Sequence, residues 1–130
     1  MAEWNIHDEG FKNVSQSGKI TGFQIKVQSG YYRGIYLSLI HDFEVSVDGE
    51  TFKQDQIKFG VGGKSYTLAE MESLSTVHWP WLEPAILTVN KPGGLKPGMH
   101  DVQVIYLYRV SYMEAEANRA AFKKKLVMVS

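Results

Sequence analysis

The sequence predicts an all-β fold, an antiparallel β-sandwich of about eight to ten short strands forming one domain. Three observations predict it. Apolar residues recur with a period of two along most of the chain. The runs are short and are punctuated by Gly and Pro turns. The length, 130 residues without a cysteine, suits a single core that buries roughly two-thirds of the unfolded surface and holds without staples. We expect one domain over 1–130, with its core over about 10–112 and a C-terminal tail over 113–130.

Taken in order, Phe23, Ile25 and Val27 alternate with Gln24, Lys26 and Gln28, a half-buried strand. Ile35, Leu37 and Leu39 alternate with Tyr36, Ser38 and Ile40, which predicts a second strand with a less polar outer face. Phe43, Val45 and Val47 alternate with Glu44 and Ser46 up to Asp48-Gly49, a hairpin signal because a type I′ turn needs positive φ at both central positions. A two-residue loop there pairs Val47 with Glu50, Ser46 with Thr51, Val45 with Phe52 and Glu44 with Lys53. That register sets an apolar pair on one face and an opposite-charge pair on the other. Ile57, Phe59 and Val61 make another short strand, with its return over Lys64 to Leu68. Thr67, three residues before Glu70, resembles a capping box for one helical turn. Ala85 to Asn90 reads as a buried strand, and Lys91 to Gly98 as a turn-rich connection.

Two regions break the pattern. The longest run, His100 to Tyr112, carries Val102, Val104, Tyr106, Tyr108, Val110 and Tyr112 on one face, yet Ile105 and Leu107 on the other. A solvated antiparallel sheet should be polar there. Either the strand is central with its other face covered, or that face meets a partner. The tail from Glu114 to Lys125 holds good helix formers, but its apolar positions are mainly alanines and its own packing would be weak. It ends in Leu126-Val127-Met128-Val129, so it is expected to return as an edge strand or dock elsewhere.

Composition excludes several function classes. Fourteen basic residues balance fourteen acidic ones, which gives no electrostatic case for nucleic acid or an anionic membrane. No apolar stretch approaches the ~20 residues that span a bilayer. No charged start leads into an apolar run, so no signal peptide is visible. The absence of cysteine removes disulfides, thiolate ligands and Cys nucleophiles and fits the cytoplasm, where we expect the protein.

Catalytic chemistry is sparse. His7-Asp8, His41-Asp42 and His100-Asp101 are His-Asp dipeptides, but neighbours on a strand point to opposite faces and cannot share a ligand. No His-x-His or His-x-x-x-His pair supports a metal site. Ser38 lies near His41 without a nucleophile elbow, and Gly60 to Lys64 lacks the spacing of a phosphate loop. Glu70, Glu72 and Glu83 are candidates for paired carboxylates, but the first two fall on an expected surface turn.

Aromatic segments remain. His78-Trp79-Pro80-Trp81 sets two indoles one residue apart, and the proline favours a loop or edge. One Trp is expected to plug the end of the sandwich, and the other, with His78, to stack on a ring or pack into a partner. Gly30-Tyr31-Tyr32-Arg33-Gly34 offers two phenols and a guanidinium between flexible points.

The chain resembles the small β subunit of bacterial C-glycoside deglycosidases. Gly22-Phe23-Gln24, the Tyr32-Arg33-Gly34-x-x-Leu37-Ser38 stretch, Val47-Asp48-Gly49 and Trp79 carry the resemblance. So does the Pro92-Gly93-Gly94-Leu95-x-x-Gly98-x-His100-x-Val102-x-Val104 run, and the likeness covers about residues 10–112. It implies a β-sandwich that is a lyase subunit without catalytic residues of its own and binds no cofactor. It implies a larger α-subunit partner, similar to sugar isomerases built on a (β/α)₈ barrel, which holds a divalent metal, usually manganese. Together the pair would cleave the carbon–carbon bond between a 3-oxo-glucosyl unit and a flavonoid-type aglycone. On this reading the candidates for a shared substrate pocket or partner interface are Tyr31, Tyr32, Arg33, His78, Trp79, Trp81, His100, Ile105 and Leu107. Two other readings stand beside it: a stand-alone carbohydrate- or flavonoid-binding module using Trp79 and Trp81, and an independent enzyme using His41 or His100.

Overall fold

The computed structural model describes residues 6–7, 10–28, 35–74, 77–80, 83–108 and 118–128. Two antiparallel sheets face each other across one apolar core, as an all-β sandwich requires. The first is built from β1 (Lys12–Gln16), β2 (Lys19–Val27), β6 (Ile57–Val61), β7 (Lys64–Tyr66) and β9 (Ala85–Asn90). Its order is β1-β2-β9-β6-β7. The second is built from β4 (Ile40–Val47), β5 (Glu50–Phe52), β10 (Gly98–Tyr108) and β11 (Asn118–Met128), in the order β11-β10-β4-β5. A two-stranded ribbon, β3 (Ile35–Tyr36) with β8 (His78–Trp79), completes the strands among the described residues. One helical turn, α1 (Leu68–Met71), is the only α-helix among them, and no helix is long and apolar enough to cross a membrane.

The period-two pattern sets the faces. Phe23, Ile25 and Val27 of β2, Leu87 and Val89 of β9, and Phe43, Val45 and Val47 of β4 are all buried. The β4–β5 hairpin takes the expected register, Val45 opposite Phe52, Ser46 opposite Thr51 and Val47 opposite Glu50. Lys53 reaches Glu44 at 2.8 Å just beyond the last pair. Asp48 and Gly49 have φ of 52° and 89°, as the type I′ turn demands. The capping box also forms: Glu70 N–H donates to Thr67 Oγ1 at 3.3 Å, and Thr67 N–H donates to Glu70 Oε1 at 2.8 Å.

Two elements differ from expectation, and a third settles an alternative that the sequence left open. Ile35 to Ile40 is not one strand. Leu37–Leu39 is a turn of 3₁₀ helix between β3 and β4, held by the Leu37 N–H donating to the Val77 carbonyl at 2.9 Å. Burying Leu37 completely outweighs the alternation written in the sequence. Secondly, β1 stands where no strand was expected. It hairpins onto β2 through Ser17 and Gly18, at φ 52° and 79°. Gly22 lies where an added Cβ would collide with the Val89 carbonyl oxygen, so β2 and β9 meet this closely only through glycine. Thirdly, residues 118–128 take the edge-strand alternative for the tail. β11 pairs along the whole of β10, from Gly98 opposite Met128 to Tyr108 opposite Asn118. Its Phe122, Leu126 and Met128 enter the core.

Candidate functional site

The ribbon of β3 and β8 seats the first group of candidates. Ile35 pairs with Trp79, and Tyr36 with His78. Trp79 is 0% exposed, and its indole N–H donates to the Glu83 carbonyl at 2.8 Å. Its ring lies edge-on to Phe59 at 5.0 Å and tilted on Tyr106 at 5.6 Å. A satisfied, fully buried indole is a core residue. Of the two roles expected for the tryptophans, Trp79 therefore takes the structural one, as the post that fixes the ribbon to both sheets. Tyr36, 46% exposed, packs against the half-buried His78 ring, the centroids 4.8 Å apart and the planes tilted by 58°. Because the pairing is antiparallel, the chain enters β3 at Ile35 directly opposite its exit from β8 at Trp79. Tyr31, Tyr32, Arg33 and Trp81 lie outside the described residues.

The second group lies on the outward face of the four-stranded sheet. β10 is a central strand, flanked by β4 and β11, which answers half of the question its sequence raised. Ile105 and Leu107 are nonetheless only half-buried. With Asp42 and Glu44 they line an open depression of about 320 Å³. A larger one, about 670 Å³, follows on the same sheet over Ser46, Thr51, Gln103, Lys123 and Lys125. Beyond it stands the cross-strand pair Met99 and Val127, 65% and 54% exposed.

His100 does a third thing. Its Nδ1 lies 2.6 Å from Asp48 Oδ2 and its Nε2 lies 2.7 Å from the Lys96 carbonyl oxygen. Both partners are acceptors, so both ring nitrogens must donate, which favours the imidazolium. Burial opposes that charge, but the Lys96 carbonyl and the Asp48 carboxylate outweigh it, and the His100 pKa is raised. The His100 hydrogen bond, helped by the Asp101 N–H at 2.8 Å from Asp48 Oδ1, lowers the pKa of Asp48. The ring clasps the β4–β5 turn to the start of β10. Tyr106, beside Trp79, is six residues further along the strand, about 20 Å away at ~3.3 Å per residue. His100 and His78 thus serve opposite ends of the molecule.

Other candidate chemistry is absorbed by the fold. The Gly62 N–H donates to Glu83 Oε2 at 2.9 Å, so the glycine turn is closed by a carboxylate of its own chain. Glu70 is spent in the capping box. His7 Nε2 pairs with Gln28 Oε1 at 3.0 Å. Among the described residues no group of three His, Cys, Asp or Glu side chains is placed to hold a metal ion. Sequence reasoning missed Tyr36, Met99 and the role of Asp48. Tyr36 was legible only as an outward strand position, Met99 fell just outside the strand expected from His100, and Asp48 was legible only as a turn residue, because its partner is distant in the chain. It also missed Asn13, whose side-chain amide donates to the Leu95 carbonyl and accepts from the Leu95 N–H, both at 2.9 Å. That clamp holds the Pro92-Gly93-Gly94-Leu95 connection against β1.

Comparison with known proteins bears on what these surfaces serve. Residues 1–112 match a family model described as the C-glycoside deglycosidase beta subunit. A C-glycoside deglycosidase beta subunit of Eubacterium cellulosolvens is 42% identical over 114 residues, 87% of this chain and 78% of that protein. One of Arthrobacter globiformis is 25% identical over 135 aligned positions, 94% of this chain and 97% of that protein. A 3'-dehydrocarminate deglycosidase beta subunit of a Microbacterium species is 31% identical over 94 residues, 72% of this chain and 70% of that protein.

Proposed function

Because the chain belongs to the family of C-glycoside deglycosidase beta subunits, we propose that it is the accessory subunit of a heteromeric deglycosidase whose catalytic groups lie on a larger α subunit. The observation that carries this reading is the match over residues 1–112, which takes in β1 to β10 and so both sheets of the sandwich. One relative is named as a subunit of a 3'-dehydrocarminate deglycosidase, a name that joins a dehydro compound to deglycosylation and so supports an oxidised glycoside as substrate. In this reading the substrate is a C-glycoside with a 3-oxo-glucosyl unit and a flavonoid-type aglycone.

The chemistry follows from the ketone. A 3-oxo group acidifies the C2 proton, because the carbanion left behind is an enolate. A base on the partner removes that proton. The enolate electrons then form the C1–C2 double bond, the C1–aglycone bond breaks, and its electron pair leaves with the aglycone, which is protonated. A divalent cation held by the partner, manganese for preference, would supply Lewis-acid stabilisation of the developing charge. This chain's contribution is enclosure. The tilted Tyr36–His78 ring pair, beside the anchored Trp79, offers an aromatic wall, and excluding water protects an enolate from premature protonation. The lack of cysteine suits a reducing cytoplasm as the place where the pair works.

Reconstitution tests the proposal. The chain and its large partner are purified separately and together, and turnover of a 3-oxo-C-glycoside is followed with each. Activity is expected from the pair, which should elute as one peak on a sizing column, and from neither protein alone. Full turnover by the large subunit without this chain would overturn the reading.

A further inference from the structure

We propose that the outward face of the four-stranded sheet, centred on Ile105 and Leu107, is the surface that the larger subunit covers; this rests on the assembly proposed above. The pairing register lays the face out row by row. Ala121, Ile105 and Glu44 stand abreast, as do Lys123, Gln103 and Ser46, then Lys125 and Asp101, then Val127 and Met99. Along β10 itself, Met99 at one end and Ile105 and Leu107 at the other bracket the polar Asp101 and Gln103, while on the β4 side Glu44 and Asp42 stand opposite Ile105 and Leu107. A sheet face meant for water should be polar outward, yet β10 carries Ile105, Leu107 and Met99 on that face.

The opposite sheet supplies the contrast. Its outward residues include Gln24 and Lys26 on β2, Thr88 on β9 and Lys58 on β6, with Gln24 Nε2 donating to Thr88 Oγ1 at 3.2 Å. That face is polar along its central strands apart from Ile86, with Ile20 exposed near the start of β2. The β10 face is not.

Shape and charge narrow the partner. Two open depressions, of about 670 and 320 Å³, lie on this sheet and offer room for side chains of a facing element. Lys123 and Lys125 line the β11 side and are exposed. Among the described residues neither makes an ion pair, whereas Glu44 on the β4 side is tied to Lys53 at 2.8 Å. The matching surface is a ridge of apolar side chains with carboxylates on the flank that meets β11. From Met99 to Leu107 the face runs about 27 Å, and three strands give it about 15 Å of width, or ~400 Å². A stable heteromeric contact buries about 800 Å² per partner. The face is thus the centre of an interface that continues over the sheet's edge.

The test compares Ile105→Asp/Leu107→Asp and Lys123→Glu/Lys125→Glu with Thr88→Asp on the opposite sheet. All of these side chains point outward, so melting temperature is measured first on each chain. The Ile105/Leu107 variant is expected to lose roughly tenfold or more in affinity for the large subunit, and the lysine variant to lose affinity most at low salt. Thr88→Asp should bind as the native chain does. A second readout needs no substitution. Amine acetylation of the native complex should spare Lys123 and Lys125 relative to the free chain and leave Lys58 equally reactive. Native affinity in both β10–β11 variants, or unchanged labelling of both lysines, would overturn this surface while leaving the assembly standing. Failure of the native chain to bind the large subunit would overturn the assembly and the surface together.

Discussion

At the scale of single residues, Trp79 and His100 were both candidates for contact with other molecules, and the fold gives each of them partners within the chain. Trp79 has no exposed surface, and Phe59, Tyr106 and the Glu83 carbonyl account for its ring and its donor. His100 is more informative, because its two acceptors make its contribution to stability depend on pH. A raised pKa means the folded chain holds the proton more tightly than the unfolded one. The stabilisation is then complete below the ordinary histidine value of about 6.5 and is lost as pH rises through the raised value. Asp48, with a lowered pKa, contributes above the ordinary carboxylate range and loses that contribution as pH falls through its own value. The clasp is therefore strongest between about pH 4 and about pH 6.5. Melting curves of the native chain and of His100→Gln should show their largest separation near pH 5.5 and a smaller one at pH 9. Titrations common to both proteins cancel in the difference. A separation independent of pH would show that the ring is neutral in the folded chain.

At the scale of elements, β11 is the piece whose removal says most. It brings Phe122, Leu126 and Met128 into the core, each contributing about 1.5–3 kcal/mol on burial. It also covers the edge of β10 from end to end. As the new edge it carries its own defence. Lys123 and Lys125 point outward, and Lys124, among the inward positions, reaches the Ile6 carbonyl at 3.1 Å. A chain ending at Tyr112 gives up roughly 5–9 kcal/mol by this reckoning, comparable to the whole stability of a domain this size. It should aggregate or stay unfolded, as circular dichroism and a sizing column would report. A soluble, folded monomer with an unchanged melt would show that β11 is an appendage rather than part of the core. The tail's sequence left this open because Ala, Lys and Arg favour helix locally, and only the long pairing with β10 overrides them. The β4–β5 hairpin was legible down to its register because its turn, its alternation and its charge pair all lie within ten residues. Ser17-Gly18 was an equally local signal for β1 and went unread. The β3–β8 ribbon had no local signal, since Tyr36 and His78 meet only through the fold. Ile105 and Leu107 were legible as out of pattern, but periodicity names a face and not what covers it.

At the scale of the whole molecule, core and interface are separable because they occupy different layers. The core lies between the sheets, held by Trp79, Phe23 and Phe43 among others; the proposed contact lies outside one of them, on side chains that the isolated domain does not need. Assembly should then act on stability by mass action alone. A partner that binds the folded chain and not the unfolded one stabilises it by about 2.7 kcal/mol when present at about a hundred times its Kd. For a domain of this length that raises the melting temperature by roughly 10 °C. The large subunit melts too, so the signal must come from this chain only. Tryptophan replaced by 5-fluorotryptophan supplies it, because the Trp79 ring is enclosed by Phe59 and Tyr106 in the fold and its fluorine resonance moves when that enclosure is lost. The Trp79 transition should climb with added large subunit and level off as the complex saturates. With Ile105→Gln/Leu107→Gln, which sets no new carboxylate opposite Glu44 or Asp42, it should climb only at much higher concentrations, from nearly the same starting temperature. A midpoint that ignores the partner at saturation would mean that the two chains meet without requiring this fold, and a much lower starting temperature in that variant would mean that Ile105 and Leu107 serve the core after all.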